Sequence, residues 1–204
     1  MKKALIVVFS VLCIDQIFKI WVKTHFQLGD QINVLGHWFI IHFTENYGMA
    51  FGMEFGGGWG KILLTVFRII ACCGIGWYIY YLSKKKANQW LIVSVAFILA
   101  GAFGNIIDSV LYGRLFSDSV FQVASFLPAD GGYAPLWHGK VVDMLYFPVI
   151  ETHYPRWFPG LGGEEFTFFQ PVFNIADSSI TTGVFILIIF QKRFFKKENQ
   201  VSNE

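Results

Sequence analysis

Four apolar runs, about Ala4–Val22, Ile62–Leu82, Gln89–Val110 and Asn174–Gln191, decide what solvent this chain folds in. About 20 consecutive apolar residues in a helix cross a hydrocarbon core of about 30 Å. Inside that core every backbone N–H and C=O must find a partner within the protein, so each run is expected to be a helix. Composition agrees. Of the 204 residues 54% are hydrophobic and 15% charged, against about 25% charged in a soluble domain. A net charge of +2 gives no footing for nucleic acid. The three cysteines, Cys13, Cys72 and Cys73, lie within the apolar runs, which leaves no disulfide framework and no CxxC metal pattern. The first run lacks a small-x-small cleavage site, and Leu12 is too bulky for the position before a lipoprotein-type Cys13, so it reads as a retained helix.

Nine of the sixteen basic residues, Lys2, Lys3, Lys84–Lys86, Lys192, Arg193, Lys196 and Lys197, flank the runs on one side. The positive-inside rule then places both termini in the cytoplasm. Between the first two runs, residues 23–60 carry Ile32–Leu35 and Trp38–Phe43, rich in β-branched and aromatic side chains and parted by Gly36-His37. They are expected to form short strands or a hairpin, followed by a flexible turn at Gly56–Gly60. A long extramembrane region of mixed character, about 111–170, lies between the third and fourth runs. The expected fold is a mainly α integral membrane protein, a single domain with four transmembrane helices, a small extramembrane β layer and a long outer loop.

Acids interrupt these runs. Asn105 and Asp108, and again Asn174 and Asp177, are spaced i, i+3, which puts both polar groups of each pair on one helix face. Asp15 and Lys19 form an i, i+4 acid–base pair on the first helix. An Asp at membrane depth is disfavoured by roughly 2.5–3.5 kcal/mol, so each needs compensation or a use. Two uses stay open from the residues alone. If Asp143 and Asp177 meet in a low-dielectric pocket, repulsion keeps a proton on one of them, giving one general base and one general acid for peptide hydrolysis. Alternatively, Asp15, Asp108 and Asp177 serve as a relay in a small ion- or proton-coupled transporter. No GxSxG or HExxH offers another hydrolytic centre, and His25, His37, His42, His138 and His153 lack ligand spacing. Glu45 and Glu54 are expected to be solvated.

Five ordered motifs favour the first use. They are Asp15-Gln16-Ile17-Phe18-Lys19, Asn46-Tyr47-Gly48-Met49-Ala50-Phe51, Gly104-Asn105-Ile106-Ile107-Asp108, Val141-Val142-Asp143-Met144 and Phe173-Asn174-Ile175-Ala176-Asp177. In sequence and order they resemble the motifs of the lipoprotein signal peptidases (signal peptidase II), bacterial membrane aspartyl proteases. The resemblance implies Asp143 and Asp177 as the catalytic pair. Asp15, Lys19, Asn46, Gly48, Asn105, Asp108, Asn174 and Ala176 match positions that bind substrate or shape the site. It implies cleavage of diacylglyceryl-modified prolipoproteins before the lipid-bearing cysteine, in the bacterial inner membrane with the site near the periplasmic face. It further implies an extramembrane β-cradle and no metal or cofactor. Expected partners are the lipid-modified substrates and membrane lipid; the chain is expected to act as a monomer.

Two departures stand out. The family's arginine after the third-helix aspartate is Ser109 here, leaving Arg68 or Arg114 to pair with Asp108; Arg68 is favoured by its similar membrane depth. Asp108 to Asp143 spans 35 positions and Asp143 to Asp177 spans 34, so residues 115–140 and 151–169 read as insertions that act as a lid, select substrate or merely decorate the fold.

Overall fold

The computed structural model describes residues 1–48, 57–148, 150–153, 155, 157–160, 163–168 and 171–194, with backbone alone for 57–58, 150–153 and 165–168. Met49, Ala50 and Phe51 of the Asn46 motif, Glu54 and Gly56 lie outside these residues. Among the described residues, four helices are long and apolar enough to cross a membrane. They are α1 (Lys2–His25), α2 (Gly57–Lys84), α3 (Gln89–Ile107) and α5 (Ile175–Phe194). After α3 the chain continues through a π-helical turn, Asp108–Tyr112, into the single turn α4 (Gly113–Leu115).

Each span departs from its expected boundary in a physically sensible way. Gly57, Gly58, Trp59 and Gly60, expected within a turn, open α2. The first turn of a helix has no intrahelical N–H bonds to lose, so the low propensity of glycine matters least there. Likewise α1 and α5 extend beyond their apolar runs into residues such as Lys23, Lys192 and Arg193, whose positive charges favour helix C-termini. Asn174 stands just before α5.

The chain divides into two compact units. One comprises residues 1–15, 66–106 and 175–204, and its described part consists of membrane helices and the short α2–α3 turn. Its apolar core joins Ala4, Ile79, Leu82, Leu91, Ile92, Val95 and Ala96. Lipid offers no hydrophobic drive between helices, so close approach of small residues must hold them. A Cβ on Gly101 would stand 2.1 Å from the backbone oxygen of Ala176, and one on Gly183 would stand 2.5 Å from that of Ser94. Ser179 adds a hydrogen bond from Oγ to the Phe97 carbonyl at 2.7 Å.

The other unit comprises residues 16–65 and 107–174. Its sheet has the order β1-β2-β3, all antiparallel. Strands β1 (Gln31–Leu35) and β2 (Phe39–Asn46) are the expected hairpin, whereas β3 (Val141–Tyr146) arrives from the long loop. Pairing sets Thr44 opposite Asp143 and Asn46 opposite Val141, with a register shift between Ile41 and Thr44. Phe173 then adds to β3, exchanging backbone hydrogen bonds with Leu145. A separate hairpin, β4 (Ile150–His153) with β5 (Glu165–Phe168), occupies the second expected insertion.

The first expected insertion is part of the core. Phe116 and Ala124 pack with Val22, Phe26, Phe43, Tyr112, Val142 and Met144. Its backbone is stitched to the end of α3: the N–H groups of Ala134, Trp137 and Gly139 donate to the carbonyls of Gly113, Val110 and Ser109. Phe116 and the three backbone hydrogen bonds thus anchor the segment at its two ends.

The closest approach in the helical unit predicts a measurable penalty. Gly101→Ala should destabilise the protein by about 1–3 kcal/mol through overpacking against a backbone oxygen that cannot rotate away. Thermal unfolding in detergent checks this; an unchanged midpoint would refute the packing.

Candidate active site

A carboxylate taken out of water must be met by donors, and each buried acid here meets donors from another segment. In the unit that contains the sheet, Asp108 is fully buried. Its oxygens accept hydrogen bonds from Gln16 Nε2 at 3.0 Å and from the Val142 N–H at 3.3 Å, and it forms an ion pair with Lys19 Nζ at 2.7 Å. Gln16 in turn accepts from the Tyr112 hydroxyl at 3.1 Å. The π-turn begins at Asp108 itself, and π-turns often mark positions where a helix has been adjusted to aim a side chain. Gly139 explains how the incoming loop comes so near: a Cβ there would stand 2.1 Å from the Asp108 carbonyl oxygen.

Lys19 therefore fills the place for which Arg68 had been the expected candidate. Lys and Asp approach from α1 and the end of α3, a pairing that sequence spacing does not reveal. Lys19 and Asp15 share a helix face; Lys19 meets Asp108, and Asp15 meets the Ala176 N–H.

Asp143 sits on β3 and is buried. Two carboxamides grip it. Asn46 Nδ2, on the adjacent strand β2, donates to Oδ2 in a short hydrogen bond, and Asn174 Nδ2 donates to Oδ1 at 2.7 Å. Asn46 also accepts from the Gly48 N–H, closing a local turn where Gly48 has φ +90°. Glycine suits that conformation because it has no Cβ to clash. Asn174 is fully buried and also approaches the Val142 carbonyl at 3.3 Å.

The helical unit holds the remaining matched residues. Asp177, in the first turn of α5, accepts from Asn105 Nδ2 at 2.8 Å. An acid in the first turn is favoured by the helix dipole. Asp15, fully buried, accepts the Ala176 backbone N–H at 2.8 Å. That N–H belongs to the first turn of α5 and has no intrahelical acceptor, so a carboxylate from α1 caps the helix. Gly104 leaves room for this: a Cβ there would stand 2.8 Å from Asp15 Oδ2 and 3.2 Å from Ala176 Cβ. Arg68 interacts electrostatically with Asp177.

A second buried ionic group lies in the sheet-containing unit and overturns the expectation that Glu45 is solvated. Its side chain is 2% exposed and pairs with Lys23 and, at 3.3 Å, with Lys140. Lys23 Nζ donates to Ser119 Oγ at 2.9 Å and lies 4.9 Å from the centre of the Tyr133 ring. Tyr133 accepts the Lys140 N–H at 2.6 Å, and burial pushes its phenol above the usual tyrosine range, so it stays neutral. Glu45 and Lys140 each adjoin a strand end beside the Asn46–Asp143 contact. Only their positions next to Asn46 and Val141 hinted at this role.

Among the described residues no group of three or more His, Cys, Asp or Glu side chains is arranged to hold a metal ion.

Membrane-length helices with this density of buried, donor-satisfied acids define a class of membrane proteins that work through ionisable groups. Comparison with known proteins resolves that class further. The chain belongs to the family described as Signal peptidase (SPase) II, whose profile matches residues 7–193. A lipoprotein signal peptidase of Porphyromonas gingivalis is 50% identical over 186 residues, covering 89% of this chain and 79% of that one. One from Amoebophilus asiaticus is 40% identical over 183 residues, covering 88% and 73%. Two solved structures described as bacterial membrane enzymes are similar, each at 26% identity. The first has a TM-score of 0.62 and covers 99% of this chain and 96% of its own; the second has 0.59, covering 94% and 93%. The protein is thus a membrane peptidase by family.

The Lys19–Asp108 pair yields a stability test. Lys19→Met should destabilise the fold by about 3–5 kcal/mol, because it strands a buried carboxylate. Adding Asp108→Asn should recover part of that loss. Denaturation of the single and double variants measures the coupling, and strict additivity would refute the pairing.

Proposed function

We propose that the protein removes signal peptides from diacylglyceryl-modified prolipoproteins, using Asp143 and Asp177 as a shared acid–base pair. The observation that carries this reading is the way both carboxylates are held by carboxamide donors: Asn46 and Asn174 on Asp143, and Asn105 on Asp177. A carboxamide N–H favours the ionised acid without neutralising it, unlike a tightly bound lysine. Asp15 and Asp108 are spent on structure, one capping α5 and the other joined to Lys19. Asp143 and Asp177 remain as the acids suited to chemistry.

The proposed reaction follows from one proton shared between two acids. The ionised member takes a proton from water as its oxygen attacks the carbonyl preceding the lipid-bearing cysteine. The protonated member donates to the developing oxyanion. Collapse of the tetrahedral intermediate breaks the C–N bond, and the leaving amine of the cysteine receives its proton from the pair. The chemistry needs no metal and no other cofactor. Asn105 and Asn174 keep the carboxylates oriented.

The proposed orientation puts both termini in the cytoplasm, on the grounds of the basic residues at Lys2, Lys3, Lys84–Lys86, Lys192 and Arg193. The catalytic acids then work near the periplasmic face of the inner membrane, where a signal peptide's cleavage point emerges. The substrate's acyl chains stay in lipid while its peptide bond enters the polar site. The chain acts as a monomer in this reading.

Asp143→Asn and Asp177→Asn should each abolish cleavage of a diacylglyceryl-modified prolipoprotein by purified protein while leaving the melting midpoint nearly unchanged. Near-normal turnover in either folded variant would overturn the pair. Arg68→Glu, which sets an anion against Asp177, should lower turnover about tenfold or more, whereas Arg68→Lys should retain most of it. Equal rates for the two Arg68 variants would show that its charge is irrelevant to Asp177.

A further inference from the structure

The helical unit contains a cavity of about 490 Å³ where the start of α1 meets the α2–α3 connection. Its size lies within the range of small-molecule sites. Lys2, Lys3, Ser83, Lys86 and Gln89 line it, with Ile92 among its apolar lining. No acidic residue lies in the first turn of α1 or α3. The N-termini of α1 and α3 lie at this end together with the C-terminus of α2, whose partial negative charge opposes theirs, so the lysines supply the net positive charge.

Two details mark the cavity as more than a cluster of surface lysines. Ser83 Oγ is buried and has no hydrogen-bond partner, a condition that a buried hydroxyl rarely keeps. Lys86 has φ +52°, the left-handed conformation in which glycine is favoured. It closes α2: the Lys86 N–H donates to the Ser83 carbonyl at 3.2 Å and the Ala87 N–H to Leu82 at 3.0 Å. This is the Schellman arrangement, whose αL position is usually glycine. A lysine there is unfavourable for the backbone, and it brings an ammonium to the cavity. Its neighbours do otherwise. Lys84 lies 5.5 Å from the Tyr80 ring centre and Lys85 lies 4.8 Å from that of Tyr81. Of this basic run, only Lys86 lines the cavity.

We infer that this cavity binds a phosphate group, with Lys2, Lys3 and Lys86 supplying charge and Ser83 Oγ a hydrogen bond, as in a site for an anionic phospholipid headgroup. Basic pockets between transmembrane helices are suited to such headgroups. Ile92 and Ala4 would contact the glycerol and first acyl carbons, while Lys3 Nζ, donating to Gln89 Oε1 at 2.6 Å, holds the rim. The site is independent of peptide cleavage and of the catalytic acids.

The test uses the full chain in nanodiscs of phosphatidylcholine with or without phosphatidylglycerol, reading retained phosphatidylglycerol by native mass spectrometry and stability by thermal melting. Wild type should retain phosphatidylglycerol. Lys86→Gly should retain it about fivefold less while melting at the same or a higher temperature, because glycine suits the αL position. Lys85→Gln removes an equal charge outside the cavity and should stay within about twofold of wild type. Equal losses for Lys85→Gln and Lys86→Gly would mean diffuse attraction and overturn the site, as would no retention by wild type. Inorganic phosphate added to phosphatidylcholine discs separates the two sources of the group. Stabilisation by phosphate, lost in Lys86→Gly, would assign the cavity to free phosphate; retention of lipid without a phosphate effect assigns it to the headgroup.

Discussion

A buried carboxylate must be satisfied on every side, and Asp108 is where that requirement shapes the sheet-containing unit. Its partners are Lys19 and Gln16 from α1 and the Val142 N–H from β3. Val142 immediately precedes Asp143, so the ion pair that ties α1 to the end of α3 also fixes the height of a proposed catalytic acid. The π-turn begins at this residue and the tight approach of Gly139 to its carbonyl follows. An ion pair in this setting is not strong evidence for stability, since desolvation offsets much of its attraction. What it supplies is geometry: few arrangements satisfy both charges at once.

Carboxamides carry the other half of the architecture. Asn46 and Asn174 hold Asp143 from two directions, while Asn105 holds Asp177. The amide gives directional donors without cancelling the acid's charge. Small residues make the corresponding contacts possible in the helical unit. Gly101 and Gly104 allow α3 to approach the start of α5 closely, and Asp15 caps the Ala176 N–H there. The same residues that carry the family motifs therefore have packing reasons of their own.

The expected insertion at 115–140 shows how a loop becomes structural. Phe116 and Ala124 enter the core, Ser119 meets Lys23, and Tyr133 accepts from Lys140. Glu45 was expected to face solvent because an acid beside a strand usually does. It is buried because two lysines reach it, one from α1 and one from the loop's far end. No local pattern encodes a meeting of Lys23, Glu45 and Lys140. Their separation in the chain hides it until the strands pair.

Much of this protein was legible from its residues. Apolar length fixes the four spans because lipid tolerates no unsatisfied backbone. The β-branched and aromatic run before α2 announced the β1–β2 hairpin, and the ordered motifs pointed to the family. Tertiary structure alone decided the partnerships: Lys19 on Asp108, Asp15 on the α5 N-terminus, and β3 drawn from the long loop to lie beside β2. The reason is that helix formation in lipid is a local demand, met within each segment. Satisfying a buried charge is a long-range one, and its donors come from wherever the fold brings them.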